Sequence, residues 1–156
     1  MHTLNHDMDE CFLDADGAYL DARGLQTLEQ FAQSYTTRLE AYNALREHST
    51  QLVNDALDKM AQLHPEVIQK HRPRCLYDMS QVLRYIALSI LRNDEVFFKE
   101  MMMSWLDTVL LAYKRNDHCA SSYRFLQEMI DARIPASSSI IRPYLDGVIL
   151  ALQSHA

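Results

Sequence analysis

Arg74-Cys75-Leu76-Tyr77-Asp78-Met79-Ser80-Gln81-Val82-Leu83-Arg84-Tyr85-Ile86 is the stretch that decides the fold class. Leu76, Met79, Leu83, Ile86, Ile90 and Leu91 follow one another at helical spacing, which winds them onto one buried side of an α-helix. Asn93-Asp94 supplies its stop signal. A half-buried strand would need strict alternation of apolar and polar residues. No segment of this chain sustains it, so the chain reads as all-α.

Outward from this helix the same period recurs. Toward the N-terminus, Pro65 to Pro73 reads as a basic, partly helical connector carrying Lys70, His71 and Arg72, so that the helix proper starts near Cys75. His64-Pro65 marks a break, because the residue before proline is pushed out of the α region. Leu52, Val53, Ala56, Leu57 and Met60 mark a helix that Ser49 or Thr50 can cap. Leu28, Phe31, Ala32, Tyr35, Leu39, Tyr42 and Leu45 mark another, from Leu25 through His48. A short acidic helix, about Asn5 to Asp14, is broken at Asp16-Gly17, and a second helix starts after Asp21. Beyond the central stretch, helices are expected at about Glu95 to Lys114, Ala120 to Ala132 and Ser137 to Gln153.

Eight helices, two short ones before a core of longer ones, suit either a globin-like arrangement around a ligand pocket or a plain bundle. At 156 residues, one domain is expected over 1–156, with about 1–33 as an N-terminal helical extension.

The composition narrows function. A formal charge of −6, with Lys and Arg dispersed among acids, provides no basic stripe for nucleic acid or an anionic membrane. The longest apolar run, Val82 to Leu91, is too short to span a bilayer and carries Arg84. The first residues lack a basic-then-apolar secretion signal, so a cytoplasmic location is expected. Cys11, Cys75 and Cys119 are widely spaced, with no CxxC pair, which speaks against a disulfide framework or a metal cluster. Cys11 and Cys119 read as small buried hydrophobes. No Ser/His/Asp arrangement, paired-acid motif, glycine-rich phosphate loop or HExxH is present, so no catalytic residue is assigned and the chain is expected not to be an enzyme.

Cys75 and Asp78 stand three residues apart, within Cys75-Leu76-Tyr77-Asp78 and ahead of Leu83-Arg84-Tyr85. This segment resembles the chromophore-attachment helix of the phycobiliproteins. Asp14-Ala15-Asp16-Gly17-Ala18-Tyr19-Leu20 looks like the junction between that family's two extra N-terminal helices, and Arg38-Leu39-Glu40-Ala41 and Pro65-Glu66-Val67-Ile68 sit where it has similar segments. The resemblance runs from about Asp14 to Tyr113. It implies a globin-like fold with two extra N-terminal helices, and a linear tetrapyrrole (bilin) of the phycocyanobilin or biliverdin type as cofactor. It further implies a thioether to Cys75 and pyrrole nitrogens hydrogen-bonded by Asp78.

Several positions depart from the family's pattern. The connector Gln69-Lys70-His71-Arg72-Pro73-Arg74 is shorter and lacks glycine. Tyr77 stands where the family has an arginine that pairs with a bilin propionate, and Arg72 and Arg74 are the substitutes at hand. In the family, subunits dock through the N-terminal helices and the attachment helix. Asp16, Tyr19 and Arg84 match that surface, whereas Leu88 stands where a tyrosine is expected.

Chemically, a cysteine at a helix N-terminus beside Arg72 and Arg74 would have its thiolate favoured, and residues three apart share a face, so Asp78 projects beside it. The plain alternative is an ordinary first turn with a half-buried thiol. His64 and His71 raise haem as a minor alternative cofactor; the other histidines read as surface or terminal residues. Tyr77, Tyr85, Trp105 and Phe97-Phe98 read as core or as walls for a flat ligand. The expected function is therefore bilin binding, as a pigment protein or as a carrier linked to bilin biosynthesis. The rival is a pigment-free protein docking on bilin-synthesis enzymes or a related globin subunit. A homodimer is the simplest closed assembly.

Overall fold

The computed structural model describes residues 4–106, 108 and 116–154. They form α1 (His6–Asp14), α2 (Ala22–Gln33), α3 (Tyr35–Leu63), α4 (Pro65–Arg92) and α5 (Glu95–Phe98), then a π-helical turn (Lys99–Met103), α6 (Asn116–Arg133) and α7 (Pro135–Ser154). No strand occurs among the described residues, and the all-α, globin-like arrangement is as expected. The helix foreseen from Glu95 to Lys114 is described only through Leu106 and at Thr108; its remainder lies outside the described residues.

The core lies where α3 packs on α4 and α6, and α6 on α7. Leu52, Val53, Ala56, Leu57 and Met60 of α3 meet Val82, Leu83, Ile86 and Ile90 of α4, with Leu126 and Ile130 of α6 and Ile141, Leu145 and Val148 of α7. Ion pairs at the edge, Lys59 to Glu128 at 2.5 Å and Arg133 to Asp55 at 2.5 Å, fix α6 along α3.

Three local expectations are corrected. No break occurs at Ser49 or Thr50, because α3 runs unbroken to Leu63. The buried series simply continues from Leu45 to Leu52 and Val53, so the tertiary core never releases the helix. The helix read from Leu25 through His48 is instead divided at Ser34, which closes α2 and precedes α3.

The third correction matters most for the site: the connector is not a connector. Pro65 occupies the first turn of α4, where its missing N–H costs nothing, and Pro73 lies inside the same helix. Ile68 is buried against the core, and Arg72 reaches across to α3, meeting Asp58 at 2.7 Å and the Asn54 side-chain oxygen at 3.1 Å. Those contacts hold the helix through the proline. The stop signals read correctly: Asn93 caps α4 in the left-handed conformation at φ 52°, and the turn after α1 uses Asp16 at φ 46° and Gly17 at φ 79°. Asp21 caps α2, accepting from the Gly24 amide at 2.8 Å.

Candidate functional site

Cys75, Asp78 and Met79 share one face of α4, at positions i, i+3 and i+4. Opposite them, α6 presents Cys119, Ser122 and Tyr123 at the same spacing, and Trp105, Leu106 and Leu152 complete a largely apolar cavity of about 60 Å³. Only the α4 half of that cavity and Trp105 were legible beforehand. Tyr123 and Ser122 were not singled out and Cys119 was read as inert, because contact between α4 and α6 is set by how each crosses α3. The available signal was the repeated spacing itself, Cys119-x-x-Ser122-Tyr123 echoing Cys75-x-x-Asp78-Met79.

The Asp78 carboxylate is divided between two environments. Its Oδ2 accepts from Arg74 Nε at 2.9 Å, one turn away on α4. Among the described residues its Oδ1 is buried with no hydrogen-bond partner, an arrangement that costs free energy until a donor arrives. That orphaned acceptor, in a cavity that the Cys75 thiol and Trp105 also line, fits the N–H groups of a flat polar heterocycle.

The electrostatics of Cys75 reverse an expectation. Because α4 begins at Pro65, Cys75 lies well inside the helix, where the terminal dipole has faded, and Arg74 is engaged with Asp78. Burial pushes the Cys75 thiol up, and the Asp78 carboxylate pushes it further. The thiol, not the thiolate, is the resting form. Burial also drives Cys119 to about 11, with Cys75 and Asp78 adding to it, and holds the proton on Tyr123 by the same cause.

The remaining candidates are placed as follows. Arg72 is committed to Asp58 and Asn54, which takes it away from a ligand propionate. Tyr77 is exposed on the outer side of α4. His64 closes α3 and its ring meets His118 edge-on at 4.4 Å; His71 is half-buried on α4, and neither histidine is a wall of the cavity. Among the described residues no cluster of three or more metal-ligating side chains occurs. Asp16, Tyr19, Arg84 and Leu88 are all exposed, Tyr19 completely. His6, read as a surface residue, instead grips Asp94 at 2.6 Å.

The model of the phycobilisome protein family matches residues 12–152. The chain belongs to the phycobilisome protein family. Relatives in it include the phycocyanin-645 beta chain of a Chroomonas species, 29% identical over 101 residues, covering 60% of this chain and 57% of that one. Allophycocyanin subunit beta-18 of a Nostoc species is 27% identical over 101 residues, 60% of each chain. The allophycocyanin alpha-B chain of Cyanidium caldarium is 28% identical over 85 residues, 49% of this chain and 52% of that one. The matched stretch thus spans between half and three-fifths of these relatives' length. No described helix of this phycobilisome-family protein is long and apolar enough to cross a membrane.

Proposed function

We propose that this phycobilisome-family protein binds a linear tetrapyrrole at the Cys75/Asp78 cavity, as a pigment protein or as a carrier of newly made bilin. The observation that carries the reading is the unpartnered Oδ1 of Asp78 beside the Cys75 thiol. Asp78 accepts pyrrole N–H bonds, and Trp105 provides an aromatic wall. A cavity of about 60 Å³ lies well below the roughly 300–1,000 Å³ of a site that engulfs a small molecule. The bulk of a tetrapyrrole therefore rests outside it, at the exposed rim beside Arg74. Bound bilin would supply visible absorption.

Covalent attachment at Cys75 is an addition. The Cys75 sulfur bonds to a vinyl or ethylidene carbon, the thiol proton is delivered to the neighbouring carbon, and nothing leaves. Since burial and Asp78 hold the thiol protonated, uncatalysed attachment is expected to be slow at neutral pH and to accelerate about tenfold per pH unit below the thiol pKa. A rate that is flat with pH would contradict that.

The direct test is co-expression with haem oxygenase and a bilin reductase, followed by denaturing electrophoresis with zinc-enhanced fluorescence. A fluorescent band lost in Cys75→Ala establishes the thioether. No band and no bilin-induced absorption in the native protein would leave the pigment-free reading. That second reading draws on the exposed arm: Phe12, Leu13 and Tyr19 present apolar surface outside the core, and Arg84 makes no ion pair among the described residues. Docking through Asp16, Tyr19, Arg84 and Leu88 onto a second copy, a related globin subunit or a bilin-synthesis enzyme accounts for them. Sedimentation of Tyr19→Ala against native protein tests it: an unchanged mass distribution, for a chain that self-associates, rules this surface out.

A further inference from the structure

Two histidines outside the Asp78 cavity meet without a task in the reading above. His64 stands between α3 and α4 with its backbone at φ −135° and ψ 66°. Its N–H donates to the Met60 carbonyl at 2.8 Å, and its own carbonyl accepts from Val67 at 3.2 Å and Ile68 at 3.3 Å. His118 lies in the first described turn of α6, where its carbonyl accepts from the Ser122 hydroxyl at 3.0 Å. Packing of α6 on α3 brings the two rings together, 4.4 Å between centres with their planes at 79°. Both residues are half-buried. No hydrogen bond or ion pair of either ring occurs among the described residues, and neither ring has a nitrogen that is buried without a partner. Solvent therefore reaches those nitrogens, and each neutral imidazole keeps one lone pair for a ligand.

We propose that His64 and His118 form a two-imidazole site for a divalent late transition-metal ion, Ni²⁺ or Cu²⁺, with water completing the coordination sphere. Imidazole suits these ions. The separation fits as well. A metal–nitrogen bond of about 2.0 Å sets a ring centre about 3.2 Å from the ion, so two imidazoles at right angles on one ion stand about 4.5 Å apart, and two in a tetrahedral site about 5.2 Å. The observed 4.4 Å matches the right-angled geometry that Ni²⁺ and Cu²⁺ favour. Rotation about χ2, a soft torsion, spins each ring about an axis passing close to its own centre. The separation thus survives the turn that aims both nitrogens at one point. Core packing has fixed both backbones before any ion arrives, so the second imidazole acts as an intramolecular ligand. Two protein ligands are all the site needs, in keeping with the lack of any larger cluster of metal-ligating side chains among the described residues. The next residue of α6, Cys119, is a wall of the Asp78 cavity. A bound ion ties that wall to the corner between α3 and α4.

The probe is Ni²⁺, which leaves the thiols unoxidised, titrated by calorimetry into the purified full chain. One equivalent is expected to bind saturably. At a free concentration about a hundred times the dissociation constant, the melting temperature should rise by about 5–10 °C. Paramagnetic broadening by the bound ion should strike first the amide resonances of residues 63–67 and 117–120. His64→Ala and His118→Ala should each weaken binding at least tenfold, because losing either ligand abolishes the chelate. His48→Ala, at a position about 24 Å earlier along α3, should bind as native protein does. Broadening is read on the native protein, so the test stands even where a histidine variant is unstable. No binding, broadening centred on other residues, or native affinity in both alanine variants would each overturn the proposal and leave the ring contact as packing alone.

Discussion

The body of α4 and its C-terminal end are held in place by different physics. Along its middle, Val82, Leu83, Ile86 and Ile90 are buried to within 1% against α3 and its neighbours, and attachment there is spread over many apolar contacts. At its C-terminal end α4 receives the α1–α2 arm. α1 buries no residue and α2 buries only Gly24. The arm is fastened by a few directed polar contacts. The Asn5 side chain caps α1 and donates to the carbonyls of Arg92 at 3.0 Å and Asn93 at 2.5 Å, and His6 holds Asp94. From α3, Arg38 donates to the carbonyls of Phe31 at 2.6 Å and of Leu91, with its guanidinium 4.2 Å over the Phe31 ring. Diffuse apolar attachment tolerates pH and fails gradually; a clasp of charged and polar groups can be undone one bond at a time. It also leaves Phe12, Leu13 and Tyr19 outside the core.

The contrast is broken most severely from the core side. Leu57→Ala, at a fully buried position, is expected to cost about 3 kcal/mol by the transfer and cavity terms together, lowering the denaturant midpoint with the slope unchanged. A loss below about 1 kcal/mol would mean that the core collapses around the gap. Next comes Arg38→Met, which keeps length but removes the donors, leaving the Phe31 and Leu91 carbonyls unanswered at about 2 kcal/mol. Amide exchange in α2 should rise well before exchange in α3. Uniform acceleration across both helices would show that the arm and the core are one cooperative unit.

Asn5→Ala removes a helix cap and both carbonyl contacts, an effect of about 1 kcal/mol. It should be confined to α1, with the midpoint of global unfolding almost unmoved. The smallest effect, and the sharpest diagnostic, is pH. The Asp94 hydrogen bond raises His6 above its ordinary 6.5, with the Asp94 and Glu100 charges in support, against desolvation and the Arg92 charge. The His6 contribution is therefore complete below 6.5 and lost as pH rises through the folded value. Burial pushes Asp94 up, but the Phe97 amide and His6 outweigh it and hold it below 3.8, so its share is complete above 3.8 and lost as pH falls through the folded value. The clasp is strongest between these limits. After correction for the base catalysis that all amides share, α1 amides should lose protection on the alkaline side of neutrality in native protein and show no such loss in His6→Ala; an unchanged profile in the variant would assign the clasp to Asn5 alone.

Part of this contrast was visible in the residues. Asp16-Gly17 and Asn93-Asp94 were readable as stops because turn and left-handed cap chemistry is local. Ser34 was not, since the amphipathic series runs through it. The connector before Cys75 was misread for the same kind of reason: two prolines and a basic run signal a break locally, whereas Ile68 and the Arg72–Asp58 pair, contacts with a helix ten or more residues distant, outweigh that signal. His6 looked terminal because its partner Asp94 lies 88 positions away.

The sequence by itself determined that the chain is helical, where most helices stop, and that Cys75 and Asp78 share a face, because each depends on residues within about one turn of one another. Only the tertiary structure decided the rest of the site. Bringing Tyr123 and Cys119 to Asp78, leaving Oδ1 without a donor among the described residues and raising the Cys75 thiol all depend on burial and on how α4 and α6 each pack on α3. Burial and helix crossing arise from the sum of packing over the whole core, which no local window contains.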